Sequence, residues 1–134
     1  MADFECLLET AERVVKNSYA PYSKVRVAAV LEADDGSLFV GVNVENASYG
    51  LTICAERVAI FSAITAGKRK FRRILIYSPD VVPFPCGACR QVMAEFFNGN
   101  EEVIVVGPSK KILRLVFSEL LPYLFKLGAR EPSR

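Results

Sequence analysis

Two cysteines stand three residues apart in Pro85-Cys86-Gly87-Ala88-Cys89, and a third opens the triplet Cys54-Ala55-Glu56. Residues i and i+3 of a helix share a face, so Cys86 and Cys89 can meet one ion. A thiol at a helix start feels partial positive charge, which favours the thiolate that a metal requires. Soft sulfur donors point to zinc. Taken alone, a Cys-x-x-Cys pair is open to redox chemistry, zinc binding or plain packing. The third cysteine and the lack of a thioredoxin-like strand pattern before Cys86 favour zinc. Three thiolates leave the fourth position of a tetrahedral ion open, which separates catalytic from structural zinc sites. Cys6 could close a four-cysteine cage, although beside Leu7 and Leu8 a small side chain also packs well without metal. Glu56 on its own would read as a solvated helix carboxylate. Residues i and i+2 do not face each other on a continuous helix. For Glu56 to serve the metal as a base, Cys54 must therefore lie in the opening turn with Glu56 reaching back.

The chain has no histidine among its 134 residues. That excludes a Ser-His-Asp triad, a Cys-His dyad and an imidazole base, and leaves acid–base work to a carboxylate, Lys, Tyr or Cys. A hydrophobic fraction of 51% with nine Phe and five Tyr is that of a globular domain. Seventeen basic against fifteen acidic residues give +2, too little to hold nucleic acid by bulk electrostatics. The length suits one domain, expected over residues 1–127, with a frayed tail over 128–134. The acidic start Met1-Ala2-Asp3-Phe4-Glu5 leads into no signal-peptide core, and no apolar run is long enough to span a membrane. With four cysteines and no export signal, a reduced cytoplasmic protein is expected.

These side chains need elements to hold them. Phe4, Leu7, Leu8, Ala11, Val14 and Val15 recur at helical spacing, predicting a helix over about 3–17 that stops before Pro21. Strands are predicted over 25–33 and 37–44, joined by the Asp34-Asp35-Gly36 turn. A buried helix follows over 54–66, with Thr52 as its cap and Gly67 as its stop. Further on come a strand over 73–78, a proline-marked loop, a helix over 86–97, a strand over 102–106 and a helical turn near 118–121. Alternating strands and helices after an opening hairpin predict an α/β fold, a mixed sheet with helices on both faces.

Cys-Ala-Glu followed by Pro-Cys-x-x-Cys is a zinc deaminase signature in its three-cysteine form. The chain resembles the small cytidine deaminases that act on free nucleosides. The likeness runs through Tyr19-Ala-Pro-Tyr-Ser-Lys24, Asn43-Val-Glu-Asn-Ala-Ser-Tyr-Gly-Leu-Thr-Ile-Cys-Ala-Glu-Arg57, Pro85-Cys-Gly-Ala-Cys-Arg-Gln91 and Leu120-Leu-Pro-Tyr-Leu-Phe125. It implies a three-layer α-β-α sandwich with about five strands. It implies one zinc ion per subunit on Cys54, Cys86 and Cys89, with zinc-bound hydroxide as nucleophile and Glu56 as proton shuttle. Asn43 and Glu45 would read the ribose, and as residues two apart on a strand they would point to one side. The Ala55 backbone N–H would meet the pyrimidine carbonyl. Ala47, Tyr49 and Phe125 match positions that complete a neighbouring subunit's pocket, so a homotetramer is expected. Arg57 would offset the negative charge of three thiolates around one zinc.

The chain departs from the family at Val25, where a phenylalanine usually packs on the base, and at Arg26 and Ala28, where proline and glycine are usual. Valine cannot stack as a phenyl ring does, so either another aromatic substitutes or the base is held more loosely. The expected reaction turns cytidine and deoxycytidine into uridine and deoxyuridine with release of ammonia, a step of pyrimidine salvage. Three other readings stand beside it. Val25 leaves room for a modified cytosine nucleoside. A nucleic-acid deaminase would need phosphate contacts, for which Lys68-Arg69-Lys70-Phe71-Arg72-Arg73 is the one basic stripe, better read as a helix cap and solvated loop. A non-catalytic zinc-stapled module would need a closed metal site.

Overall fold

A computed structural model describes residues 2–125 and 127, so the expected tail over 128–134 lies outside the described residues. Five strands form one mixed sheet in the order β2-β1-β3-β4-β5. They are β1 (Ala28–Ala33), β2 (Leu38–Val42), β3 (Phe71–Tyr77), β4 (Glu102–Val106) and β5 (Ile112–Val116). The β1–β2 hairpin and the β1–β3 and β4–β5 pairs are antiparallel, whereas β3 and β4 run parallel. A parallel pair needs a crossover, and α3 (Gly87–Phe96) supplies it.

β1 is buried along its whole length, with successive side chains entering different layers. Ala28 and Val30 face a core built with Leu7, Leu8 and Ala11 of α1 (Phe4–Val14). Ala29, Leu31 and Ala33 face the opposite core, with Ala59, Ile60 and Ala63 of α2 (Ala55–Thr65) and Met93 and Ala94 of α3. The period of two along a strand therefore sorts one sequence run into two cores, which makes the fold an α-β-α sandwich. α1 begins at Asp3, whose carboxylate accepts from the Cys6 backbone N–H at 2.8 Å. Only one of its faces carries buried residues, as an amphipathic helix requires. α2 has apolar residues on most faces and reaches the sheet through its alanines.

Several boundaries differ from the sequence reading. Residues 25–27 do not join β1. Lys24 is left-handed at φ 65°, and beyond it the Asn43 side chain replaces the strand ladder. Its Nδ2 donates to the Val25 carbonyl at 2.7 Å, and its Oδ1 accepts from the Val27 N–H at 3.0 Å. Thr52 does not cap α2; its hydroxyl accepts from the Asn46 N–H at 3.1 Å, and Cys54 is the N-cap. The first helix gives way to a 3₁₀ turn at Val15–Asn17. The residues predict no strand at β5, because as an edge strand it exposes Ile112, Arg114 and Val116 and only half-buries Leu113 and Leu115. The helical turn near 118–121 is α4 (Phe117–Leu120).

Candidate active site

Two helix N-termini converge on the three cysteines. Cys54 is the N-cap of α2 and Cys86 the N-cap of α3, both with extended backbones, and Cys89 sits in the first turn of α3. The Cys86 sulfur accepts from the Cys89 N–H at 3.5 Å, which closes that turn. α2 is brought down onto β2 by the absence of a side chain at Gly41. A Cβ there would stand 2.4 Å from the Ala55 carbonyl oxygen and 2.6 Å from the Ala59 nitrogen. The close approach fixes where α2 starts, and therefore where Cys54 and Glu56 lie.

The sulfurs of Cys54 and Cys86 are 3.9 Å apart, those of Cys86 and Cys89 3.5 Å, and all three lie within 4.8 Å of one another. A tetrahedral zinc about 2.3 Å from each sulfur would space them by about 3.8 Å. The donors thus fit the ion in type and in spacing. Among the described residues they are the one such cluster, and Cys6 is not in it. Cys6 is exposed on α1, so it neither closes a cage nor packs into the core.

Cys54 takes its Glu56 and Arg57 neighbours in opposite directions. As the N-cap it lies outside the helix, so the bar against residues i and i+2 facing each other on a continuous helix does not hold here. Glu56 is buried at 4% exposure, and burial pushes its carboxyl up to about 7, with the Cys54 charge adding to the rise against its own backbone N–H and Arg57. The Arg57 Nη2 donates to the Cys54 sulfur at 3.3 Å. Hydrogen bonds from the Cys89 thiol, Arg57 and Cys86 hold the Cys54 thiol down at about 5 against burial. The Cys89 thiol is pushed up, first by its hydrogen bond to Cys54 and then by its burial. The two shifts run in opposite directions because each sulfur is the other's hydrogen-bond partner, and binding a metal through thiolates would release protons. Arg57 is itself raised, chiefly by its hydrogen bond to Cys54, so its charge serves sulfur rather than a surface acid.

A cavity of about 300 Å³ opens beside the cluster, and Asn43, Glu45, Cys54, Ala55, Glu56 and Cys86 all line it. Asn43 is buried and keeps one donor and one acceptor site free beyond its two bonds to residues 25–27. Glu45 accepts from the Tyr22 and Ser23 N–H groups at 3.0 and 3.1 Å and from the Ser23 hydroxyl at 2.5 Å. The Ser23 hydroxyl is the first cause that holds its carboxyl below the usual range. Ala55 opens α2, so its N–H has no partner within the helix.

Ala47, Tyr49 and Phe125 do not line this cavity and are exposed, Tyr49 at 76% and Phe125 at 69%. Tyr49 borders an adjoining recess with Tyr22, Ser23, Glu45 and Thr52. Val25 lines the main cavity. So do Val81, Val82, Pro83 and Phe84, which reading the sequence missed. The signal was an apolar run placed in a loop just ahead of Pro85-Cys86. The basic stripe is engaged locally. Arg69 donates to the Ile64 carbonyl near the end of α2, Arg72 to the Asp34 carbonyl, and Lys68 pairs with Asp35 at 2.6 Å.

Residues 1–106 match the family described as the cytidine and deoxycytidylate deaminase zinc-binding region. A cytidine deaminase of Halalkalibacterium halodurans is 43% identical over 92% of this chain and 94% of its own length. One from Sporosarcina psychrophila is 40% identical over 92% and 91%. The crystal structure of cytidine deaminase from Burkholderia pseudomallei superposes with a TM-score of 0.88 at 42% identity, over 92% of this chain and all of that one. Three thiols at two helix starts, a buried glutamate and likeness along nine-tenths of the chain agree: the protein belongs to the zinc-binding cytidine and deoxycytidylate deaminase family.

Proposed function

We propose that this chain hydrolyses cytidine and deoxycytidine to uridine and deoxyuridine with release of ammonia. The observation that carries the reading is a buried carboxylate, Glu56, beside a cluster of three thiols with no fourth protein donor among the described residues, in one cavity with Asn43 and Glu45. Cys54, Cys86 and Cys89 would hold the zinc, which when bound supplies a Lewis acid that brings the deprotonation of water close to neutral pH. Glu56 takes the proton from the attacking water and passes it to N3 of the base as oxygen bonds to C4. The second proton of that water goes by way of Glu56 to the exocyclic amine, the C4–N4 bond breaks, and ammonia leaves. A carboxyl raised to about 7 can both take and give a proton near neutrality. Asn43 and Glu45 hold the ribose hydroxyls, and the Ala55 N–H holds the pyrimidine carbonyl. Arg57 stabilises the thiolates by offsetting their charge.

The same reading places the enzyme in pyrimidine salvage in the cytoplasm, as a homotetramer in which Ala47, Tyr49 and Phe125 complete a neighbour's pocket. Their exposure in the single chain supports that role. Among the described residues no helix is long and apolar enough to cross a membrane. Ammonia release from cytidine by the zinc-loaded protein, with Cys6→Ala as a control of unchanged rate, tests the activity. No ammonia from a fully metal-loaded sample would overturn it.

A further inference from the structure

The cavity beside the thiols has two unlike walls. Asn43 and Glu45 make a polar side suited to sugar hydroxyls, while Val25 and Val27 on one segment and Val81, Val82 and Phe84 on another make an apolar side. A nucleoside's base needs a flat apolar surface, which branched aliphatic side chains do not offer. Phe84 is the one aromatic ring lining the cavity among the described residues. It is 49% exposed and stacks on no other ring among them, so it is not consumed by the core.

The loop between β3 and α3 that carries Phe84 is braced at both ends. The Ser78 hydroxyl accepts from the Asp80 and Val81 N–H groups at 3.1 and 3.3 Å. Asp80 accepts a forked pair of hydrogen bonds from the Arg26 guanidinium at 2.9 and 3.1 Å, and another from the Arg26 N–H at 2.9 Å. That clamp ties the Phe84 loop to the segment holding Val25 and Val27, so the two segments of the apolar side are held together. Val82 lies over Gly107, where a Cβ would come within 3.1 Å of it. The Phe84 N–H donates to the Val82 carbonyl at 3.0 Å, and Arg90 Nε donates to the Pro85 carbonyl at 2.8 Å. The ring is thus presented on a prearranged loop, which lowers the cost of ordering it on binding.

We propose that Phe84 is a specificity-determining residue, packing its ring against the pyrimidine of a cytosine nucleoside and serving in this chain as the base's aromatic wall, a surface that Val25 cannot supply. The inference rests on the deaminase reading, and binding of uridine, the product, separates the two because it needs no turnover. Uridine affinity of the zinc-loaded enzyme is measured by calorimetry for the wild type and for F84A, F84L and F84Y. Loss of base–aromatic stacking weakens binding by about tenfold in F84A and F84L. F84Y stays within about threefold of the wild type. For cytidine, KM rises with kcat little changed, and zinc content stays constant. F84A binding uridine within twofold of the wild type would overturn the role of Phe84, and so would F84L doing so, since bulk without a ring would then suffice. A wild type that releases no ammonia from cytidine overturns the deaminase reading, while the uridine ratios still decide on Phe84.

Discussion

Glu56 combines two properties that a surface carboxylate lacks: burial that raises its pKa to about 7, and a place at the start of α2 beside a low-pKa thiol. Replacing it by glutamine keeps the shape and removes the titrating oxygen. Glu56→Gln is expected to retain zinc and to lose about 10²–10⁴-fold in kcat, the usual worth of general acid–base catalysis. Metal analysis beside steady-state kinetics checks this, and near-normal turnover with full zinc would remove the role. The three thiols and Glu56 were legible in the sequence because their chemistry depends on residue type and short spacing. The Arg57 contact with Cys54, three residues apart, follows the same local logic. Phe84 was not legible, because a phenylalanine in a loop carries no mark of which cavity it borders until β3, α3 and the 25–27 segment are placed together. Cys6 is a related case: periodicity gives the helix, but the neighbouring leucines do not reveal that Cys6 itself faces solvent.

At the level of elements, the site is made by two helix starts brought to one end of a sheet. Gly41 on β2 sets that approach for α2, since its missing Cβ would meet backbone atoms that cannot swing aside. Gly41→Ala should destabilise the protein by about 1–3 kcal/mol through overpacking. Urea unfolding measures the loss, and weaker zinc retention should accompany it as the Cys54 end of α2 shifts. An unchanged midpoint would mean that α2 does not depend on this contact. The Arg26–Asp80 clamp gives a pH signature. Arg26 holds the Asp80 carboxyl below its usual range, so the clamp contributes stability above the unfolded pKa of about 3.9 and loses it as pH falls through the lower folded value. The Tm of Asp80→Asn should therefore lie below that of the wild type at neutral pH and converge with it in acid. A gap that persists or widens in acid would contradict the clamp. Periodicity gave the helices and the inner strands, where burial imposes one pattern. It failed at residues 25–27, where a side-chain amide replaces the ladder, and at β5, whose half-exposed alternation lacks a strong apolar signal.

For the molecule as a whole, the distribution of exposed apolar side chains bears on assembly. Tyr49, Leu51, Tyr123 and Phe125 are each more than 60% exposed, so large apolar side chains remain in this chain for a partner to cover. Ala47, Tyr49 and Phe125 do not reach the cavity of their own chain, so if they contribute to catalysis they must do so in a neighbour. Activity should then depend on association. Light scattering is expected to give a mass four times the 14.8 kDa chain, and specific activity should fall on dilution below the assembly constant and return on concentration. Phe125→Ala should raise the KM for cytidine by about tenfold, as loss of a packed aromatic would, although Phe125 does not line its own chain's cavity. Mixing inactive Glu56→Gln subunits with Phe125→Ala subunits gives the sharper outcome. Hybrid assemblies would contain pockets with an intact Glu56 and an intact neighbouring Phe125, so activity at low cytidine should exceed the sum of the two parents. A monomer that keeps its full rate at nanomolar concentration, or a mixture no better than its parents, would confine the site to one chain.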